Sequence, residues 1–433
     1  MGKKLNYFAM LLLSTSMVAC GGDDEPTLTP PSGDNDIEEI VGEDTSKPKE
    51  YFENTAKLFM DYFNADNHKG IITLLNDFAE TYEDYDIANQ SNEKISAKGI
   101  NIIIKNTANA ISKGNYTRAT GSDELFDYAQ FTGIYEPNPD TECWERTGDS
   151  ESLILKFDHY GAKCEFTISL SRNQWSANID EETTVNVPKT ITMTLIEGST
   201  THLKSTIETD YNADKHTLSA KIDVKVADLQ AFAQISGNDN EIKTTQKLNV
   251  NDKTLETAEA TITGKNLCNR KAIEDAINKE DATVLKDYFT KATAETDILG
   301  RLQVKATVSS LYNIIEAIDD YEDAWEDAYI NSNYNYSDKV FYEIEKEYAN
   351  SLNENISCSF YFARNNTKQG DIIFKAIQDD EYYYSEYYTE MVLKFNDAAT
   401  YRFEEYFNEN QFGNTVNLFE NLVESYKQIL NIN

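Results

Sequence analysis

Histidine is nearly missing from this 433-residue chain, with four in all: His68, His159, His202 and His216. No two of them stand at a spacing that one helical turn or neighbouring strand positions would bring together. A histidine-based metal site would therefore need long-range convergence. The phosphate-cradling glycine loop, the dinucleotide fingerprint, H-E-x-x-H and G-x-S-x-G are absent too, which removes the common signatures of nucleotide, zinc-protease and serine-hydrolase chemistry. Proline is scarce: of seven, Pro26, Pro30, Pro31 and Pro48 crowd into one short stretch, so the remaining chain has few forced breaks. Arginine supplies only seven of 39 basic residues against 75 acids, for a net charge of −36. Such a surface repels nucleic acid and anionic headgroups, and its self-repulsion points to a monomer.

Long apolar runs are also lacking. The one near the start, residues 5–18, follows Lys3 and Lys4 and falls short of the roughly 20 residues needed to span a bilayer. It ends in Met17, Val18, Ala19 and Cys20, followed by Gly21 and Gly22. These residues resemble the lipobox of bacterial lipoproteins, with Met17 in place of the usual leucine. The resemblance implies a signal peptide over 1–19, cleavage before Cys20, and lipid on its thiol. More than one acyl chain makes membrane residence stable. Cleavage removes two lysines and no acids, leaving 37 basic residues against 75 acidic and a net charge near −38. Asp23, Asp24 and Glu25 come next, an acidic run that looks like the surface-export signal of Bacteroidota lipoproteins. The expectation is an outer-membrane protein facing outward, on an acidic tether over 20–48 with a reach of roughly 30 Å.

Beyond Cys20 the cysteines are Cys143, Cys164, Cys268 and Cys358. An even count in an exported chain permits two disulfides in three connectivities. Their wide spacing excludes a compact zinc knuckle. Cys164 alternates with Phe166, Ile168 and Leu170, and Cys358 with Phe360 and Phe362, positions that also suit buried thiols. Both readings stay open.

Apolar content of 40 % and aromatic content of 12 % mark the body, residues 49–433, as folded. Phe52, Ala56, Phe59, Met60 and Phe63 recur at helical spacing. Ile71, Leu74, Leu75, Phe78 and Tyr82 do the same, as do Ile100, Ile103, Ile104, Ala108 and Ile111, so 49–113 is expected to be helical. Over 124–264 the period becomes two. Leu218, Ala220, Ile222, Val224 and Val226, for example, alternate with Thr217, Ser219, Lys221, Asp223 and Lys225. This predicts an antiparallel meander with one apolar face. Pro188 makes its own strand an edge or a bulged one. Helices are expected over 268–330, then strands and a closing amphipathic helix over 336–433. The fold class is α+β, with the flanking helices covering the apolar face of the sheet.

Candidate chemistry is sparse. His159 with Cys164 suggests a nucleophilic pair, yet a cysteine on an apolar strand face is better explained as core. Asp210 to Asp214 begins like a calcium loop, but Lys215 replaces the glycine of the turn and Lys221 the bidentate glutamate, so a hairpin is expected. No cofactor or metal is implied. The unusual local feature is Tyr382-Tyr383-Tyr384-Ser385-Glu386-Tyr387-Tyr388. As a strand it puts Tyr382, Tyr384 and Tyr388 on one face with Glu386, and Tyr383 and Tyr387 with the apolar Met391, Leu393 and Phe395. The first set is a candidate aromatic binding strip, and Trp144 and Trp175 are further aromatic candidates. The expected function is a non-enzymatic, lipid-anchored binding protein for a glycan, peptide or host molecule. The alternatives are a carrier of a lipid or other hydrophobic ligand on the apolar face of the sheet, and a hydrolase with a carboxylate site.

Overall fold

The computed structural model describes residues 47–82, 85–88, 94–96, 131–172, 174–178, 184–212, 214–269, 272, 289–331, 339–362, 366–379, 386–406 and 409–430. Among the described residues the first elements are two helices, α1 (Pro48–Asp61) and α2 (Ala65–Tyr82). Pro48 begins α1, where a missing N–H costs nothing, and Glu50 lies in the first turn. Asn64 starts α2, its side-chain oxygen accepting the main-chain N–H of Asp66 at 3.0 Å.

Short strands β1 (Asp86–Ala88) and β2 (Lys94–Ser96) follow, then β3 (Gly133–Asn138), β4 (Cys143–Gly148), β5 (Leu153–His159) and β6 (Ala162–Leu170). A separate hairpin, β7 (Gln174–Asn178) with β8 (Thr184–Pro188), interrupts the meander, and Pro188 ends β8. The meander resumes as β9 (Thr190–Glu197), β10 (Thr200–Asn212), β11 (Thr217–Val226), β12 (Leu229–Gly237), β13 (Glu241–Val250) and β14 (Lys253–Gly264). Next come β15 (Phe289–Ile298), β16 (Leu302–Val308), α3 (Leu311–Asn331) and α4 (Lys339–Asn355). The chain closes with β17 (Ile356–Phe362), β18 (Thr367–Asp379), β19 (Glu386–Phe395), β20 (Thr400–Arg402), the short α5 (Phe403–Tyr406) and α6 (Glu409–Leu430).

Eighteen of these strands form one sheet. The pairings run β2-β1-β4-β3-β5-β6-β9 and then through β20 in chain order, antiparallel except for β1–β4 and β3–β5. One row across its apolar face shows why the register holds. From β6 to β19 it reads Leu170, Ile191, Ile207, Ile222, Ala233, Gln246, Ala258, Thr296, Val304, Phe360, Gly370 and Phe395. A slip of one residue would turn that set to the charged face.

The helices pack on this apolar face. Ile71, Leu74, Phe78 and Tyr82 of α2 share a core with Trp144, Leu155, Phe157 and Leu195. Phe52 of α1 lies against Phe360, Phe395 and Tyr406, while Phe59 meets Val250, Leu255 and Leu302. Ile314 of α3 and Leu352 of α4 close over Val308. The fold is therefore α+β, as the periodicity indicates.

Four details differ from the sequence reading. Residues 289–308 form two strands where a helix is expected, because the alanines of β15 pack inward as a small-residue row, Ala292 and Ala294 against Ala260 and Ala306. Residues 339–355 form a helix where strands are expected, burying Phe341, Glu345, Ala349 and Leu352 at helical spacing. Strands β1 and β2 fall inside the block expected to be helical. Trp144 is core, 1 % exposed, and so offers no surface aromatic. The helix expected at Ile100–Ile111 lies outside the described residues, as do 273–288.

Candidate functional site

The corner between α1 and α2 and one face of α6 enclose a groove of about 600 Å³. Asp66, Lys69 and Thr73 recur along one face of α2, and Leu422, Ser425 and Ile429 along the facing side of α6, so both walls come from helical periodicity. Phe63, Asn64, Ala65 and Gln428 complete the lining. Apolar surface (Phe63, Leu422, Ile429) is thus interleaved with hydrogen-bonding groups of several kinds.

Behind this groove a buried histidine joins its two walls to the sheet. His68 of α2 is 5 % exposed. Its Nδ1 stands 2.7 Å from the Tyr426 hydroxyl of α6, and its Nε2 lies 2.8 Å from Asp228 Oδ1 in the turn between β11 and β12. Asn67 Nδ2 donates to the other oxygen of Asp228 at 2.7 Å. Burial, with Asp228 nearby, raises the Tyr426 phenol above its ordinary range, so it stays protonated. That phenol and Nδ1 share a hydrogen bond, whereas Nε2 and Asp228 Oδ1 approach closely without hydrogen-bond geometry.

A second constellation lies at the far end of α2. His159 closes β5, and the next two residues turn the chain in left-handed conformations, Tyr160 at φ 47° and Gly161 at φ 85°. Glu197 closes β9 directly across from Cys164. The β9–β10 register shifts between Thr201 and Leu203, which makes His202 the extra residue of a bulge and swings it toward Glu197. The result is a chain of contacts: Asp77 Oδ2 to His159 Nε2 at 3.0 Å, His159 Nδ1 to Glu197 Oε1 at 2.7 Å, and Glu197 Oε2 to His202 Nε2 at 2.9 Å. Burial pulls the His159 imidazole toward neutrality, but its bonds to Glu197 and Asp77 outweigh that and raise its pKa above the usual 6.5. Its bond to His159 holds Glu197 below the ordinary 4.5, against burial and with help from His202. Both ring nitrogens of His159 are occupied on opposite sides, so the ring bridges α2 and the sheet.

Cys164 is buried beside this network, and burial pushes its thiol up to about 11. It is a protonated core thiol at neutral pH, which removes the His159–Cys164 nucleophile. Cys143, Cys268 and Cys358 are likewise free thiols, on β4, in the turn after β14 and on β17. The segment resembling a calcium loop is a hairpin turn, with Asn212 paired to Thr217 and Asp210 engaged by Lys189 at 2.7 Å.

Of the candidate tyrosine strip, Tyr382 and Tyr384 lie outside the described residues, as does Cys20. Tyr388 sits half-buried on β19, on the face opposite the helices. Arg402 Nη2 donates to its hydroxyl at 2.6 Å, and Arg402 Nε donates to Glu390 Oε2 at 2.8 Å. Tyr387 points to the other face, its ring 5.8 Å from Tyr342 of α4. No protein-family model, curated protein or solved structure matches the chain. The groove and both histidine constellations escape a reading of sequence alone, since Tyr426 and His68 are 358 positions apart. The one local trace of the second is Glu197 and His202 flanking the Gly198-Ser199 turn.

Proposed function

We propose that this chain is a lipid-anchored, outward-facing lipoprotein that binds a neutral or amino-sugar glycan in the groove between α2 and α6. The lining of the groove carries this reading. Saccharides present C–H patches alternating with hydroxyls, and the walls answer with Phe63, Leu422 and Ile429 beside Asn64, Asp66, Lys69, Thr73, Ser425 and Gln428. The net charge of −36 disfavours acidic glycans, and Asp66 suits an ammonium or a hydroxyl. The groove is preferred to the strip at Tyr388 because Arg402 already occupies that hydroxyl.

The test is a glycan array carrying neutral, amino and acidic sugars, probed with the purified protein. Binding confined to acidic sugars, or to none, would sink the proposal. The anchor has its own test, because Cys20→Ala should release the protein from membranes, and undiminished retention would overturn it. Protease added to intact cells should digest the anchored protein, and protection would place it inside.

A second reading, a carrier of a hydrophobic ligand, draws on one observation. Strands β11 and β12 contain no fully buried residue, although Ile222, Val224 and Ile235 belong to the apolar face. Displacement of a fluorescent fatty acid from wild type but not from Ile235→Gln would favour it over the glycan.

A further inference from the structure

Three of the four histidines meet at one seam, where α2 sits on the sheet. His68 belongs to α2 and reaches Asp228. His159 rises from β5 to Asp77 of α2. The His202 ring packs over the only glycine of α2, its Cε1 3.7 Å from where a Cβ on Gly70 would stand. Every partner carboxylate differs in origin: Asp228 from a turn, Asp77 from α2, Glu197 from β9.

Around His159 the facing groups are acidic. Asp77 and, farther off, Glu80 come from α2, where they also act on the Tyr160 hydroxyl. Glu197 comes from β9, His202 from β10, and the protonated Cys164 from β6. Asp158 on β5 is itself paired with Lys163 at 2.8 Å. A charged imidazolium therefore bridges two carboxylates on separate elements, with hydrogen bonds to both.

We propose that this seam is an acid-tightened clasp, in which His159 carrying a proton ties Asp77 of α2 to Glu197 of the sheet and holds α2 more firmly near pH 6 than near pH 8. The consequence for ligand rests on reading the groove as the binding site, since α2 is one of its walls. The clasp itself does not rest on that reading.

The sign follows from the two titrations. His159 has a folded value above its ordinary 6.5, so its contribution is complete below 6.5 and is lost as pH rises through the folded value. Glu197 has a folded value below its ordinary 4.5, so its contribution is present above 4.5 and is lost as pH falls through the folded value. The clasp is whole between these limits.

Amide hydrogen exchange on the full-length protein, read by mass spectrometry at pH 6 and pH 8 with intrinsic rates divided out, tests this without any ligand. Peptides from α2 should lose about fivefold protection on going from pH 6 to pH 8, the difference between a charge-assisted and a neutral hydrogen bond. Peptides from β14 to β16 should not change. His159→Gln and, independently, Asp77→Asn should give low α2 protection at both pH values. Retention of the wild-type pH dependence in both variants, or wild-type protection that is flat or rises with pH, would overturn the clasp. A failed glycan screen would count against the groove and leave this exchange difference as it is.

Discussion

Replacing Gly370 with alanine should be among the most costly single-methyl changes in the protein. The methyl would run into the carbonyl oxygen of Lys394 and stand 2.6 and 2.9 Å from Cζ and Cε1 of Phe360. The oxygen belongs to the backbone of β19, fixed in the ladder with β18, so it cannot rotate aside. Phe360 is 1 % exposed and has nowhere to go. Its ring makes edge contacts with Phe52 of α1 at 5.4 Å and Phe395 at 5.3 Å, directly over the glycine. Overpacking alone costs about 1–3 kcal/mol, and each displaced edge contact forfeits about 0.5–1.5 kcal/mol. The expected loss is thus about 2–6 kcal/mol, a large part of a typical total of about 5–15 kcal/mol. Urea unfolding followed by tryptophan fluorescence would measure it as a fall in midpoint at constant slope. Gly413 of α6 is the control, since nothing lies within 4 Å of its would-be Cβ. Alanine there should stabilise by about 0.5–1 kcal/mol by restricting the unfolded chain. A loss below about 1 kcal/mol for Gly370→Ala would refute the close approach of β18, β19 and Phe360.

Glu345 of α4 is 1 % exposed and accepts from the Tyr321 hydroxyl at 2.7 Å and from Thr389 Oγ1 at 2.8 Å. Thr389 also reaches the main-chain oxygen of residue 345, so Glu345→Ala orphans chiefly the phenol and should cost about 2–3 kcal/mol, and Glu345→Gln, which keeps an acceptor, under about 1 kcal/mol. Equal losses in the same urea assay would show that the phenol has another partner. The four body cysteines should titrate as four thiols with a disulfide dye after unfolding without reductant, and a count of two or none would establish disulfides. In the native protein Cys164, pushed up to about 11, and Cys358, pushed up to about 12 by loss of solvent and by Asp371, should scarcely react at pH 8.

The meander was legible because its strands carry strong period-two alternation, as in Leu218 to Val226. Strand β15 was not, since Ala292 and Ala294 are small residues with little strand preference. They are chosen there by the tight packing of neighbouring strands. Helix α4 was hidden by Glu345, a charged residue at a buried position whose partners come from α3 and β19. The split of Tyr387 and Tyr388 between two faces followed directly from strand geometry. The groove needed knowledge that α2 and α6 are neighbours, and the His159–Glu197–His202 chain needed both the β6–β9–β10 register and a bulge. Only Glu197 and His202, on either side of one turn, leave a local trace in the sequence.

The central claim is that the groove between α2 and α6 is the ligand site. Calorimetric titration of the strongest glycan from the array into wild type, Gln428→Ala and Tyr388→Ala tests it most directly. Loss of one hydrogen bond to ligand is worth about 1.4 kcal/mol, so Gln428→Ala should weaken binding about tenfold while Tyr388→Ala leaves it unchanged. Full affinity in Gln428→Ala together with loss in Tyr388→Ala would contradict the account and move the site to the outer face of β19.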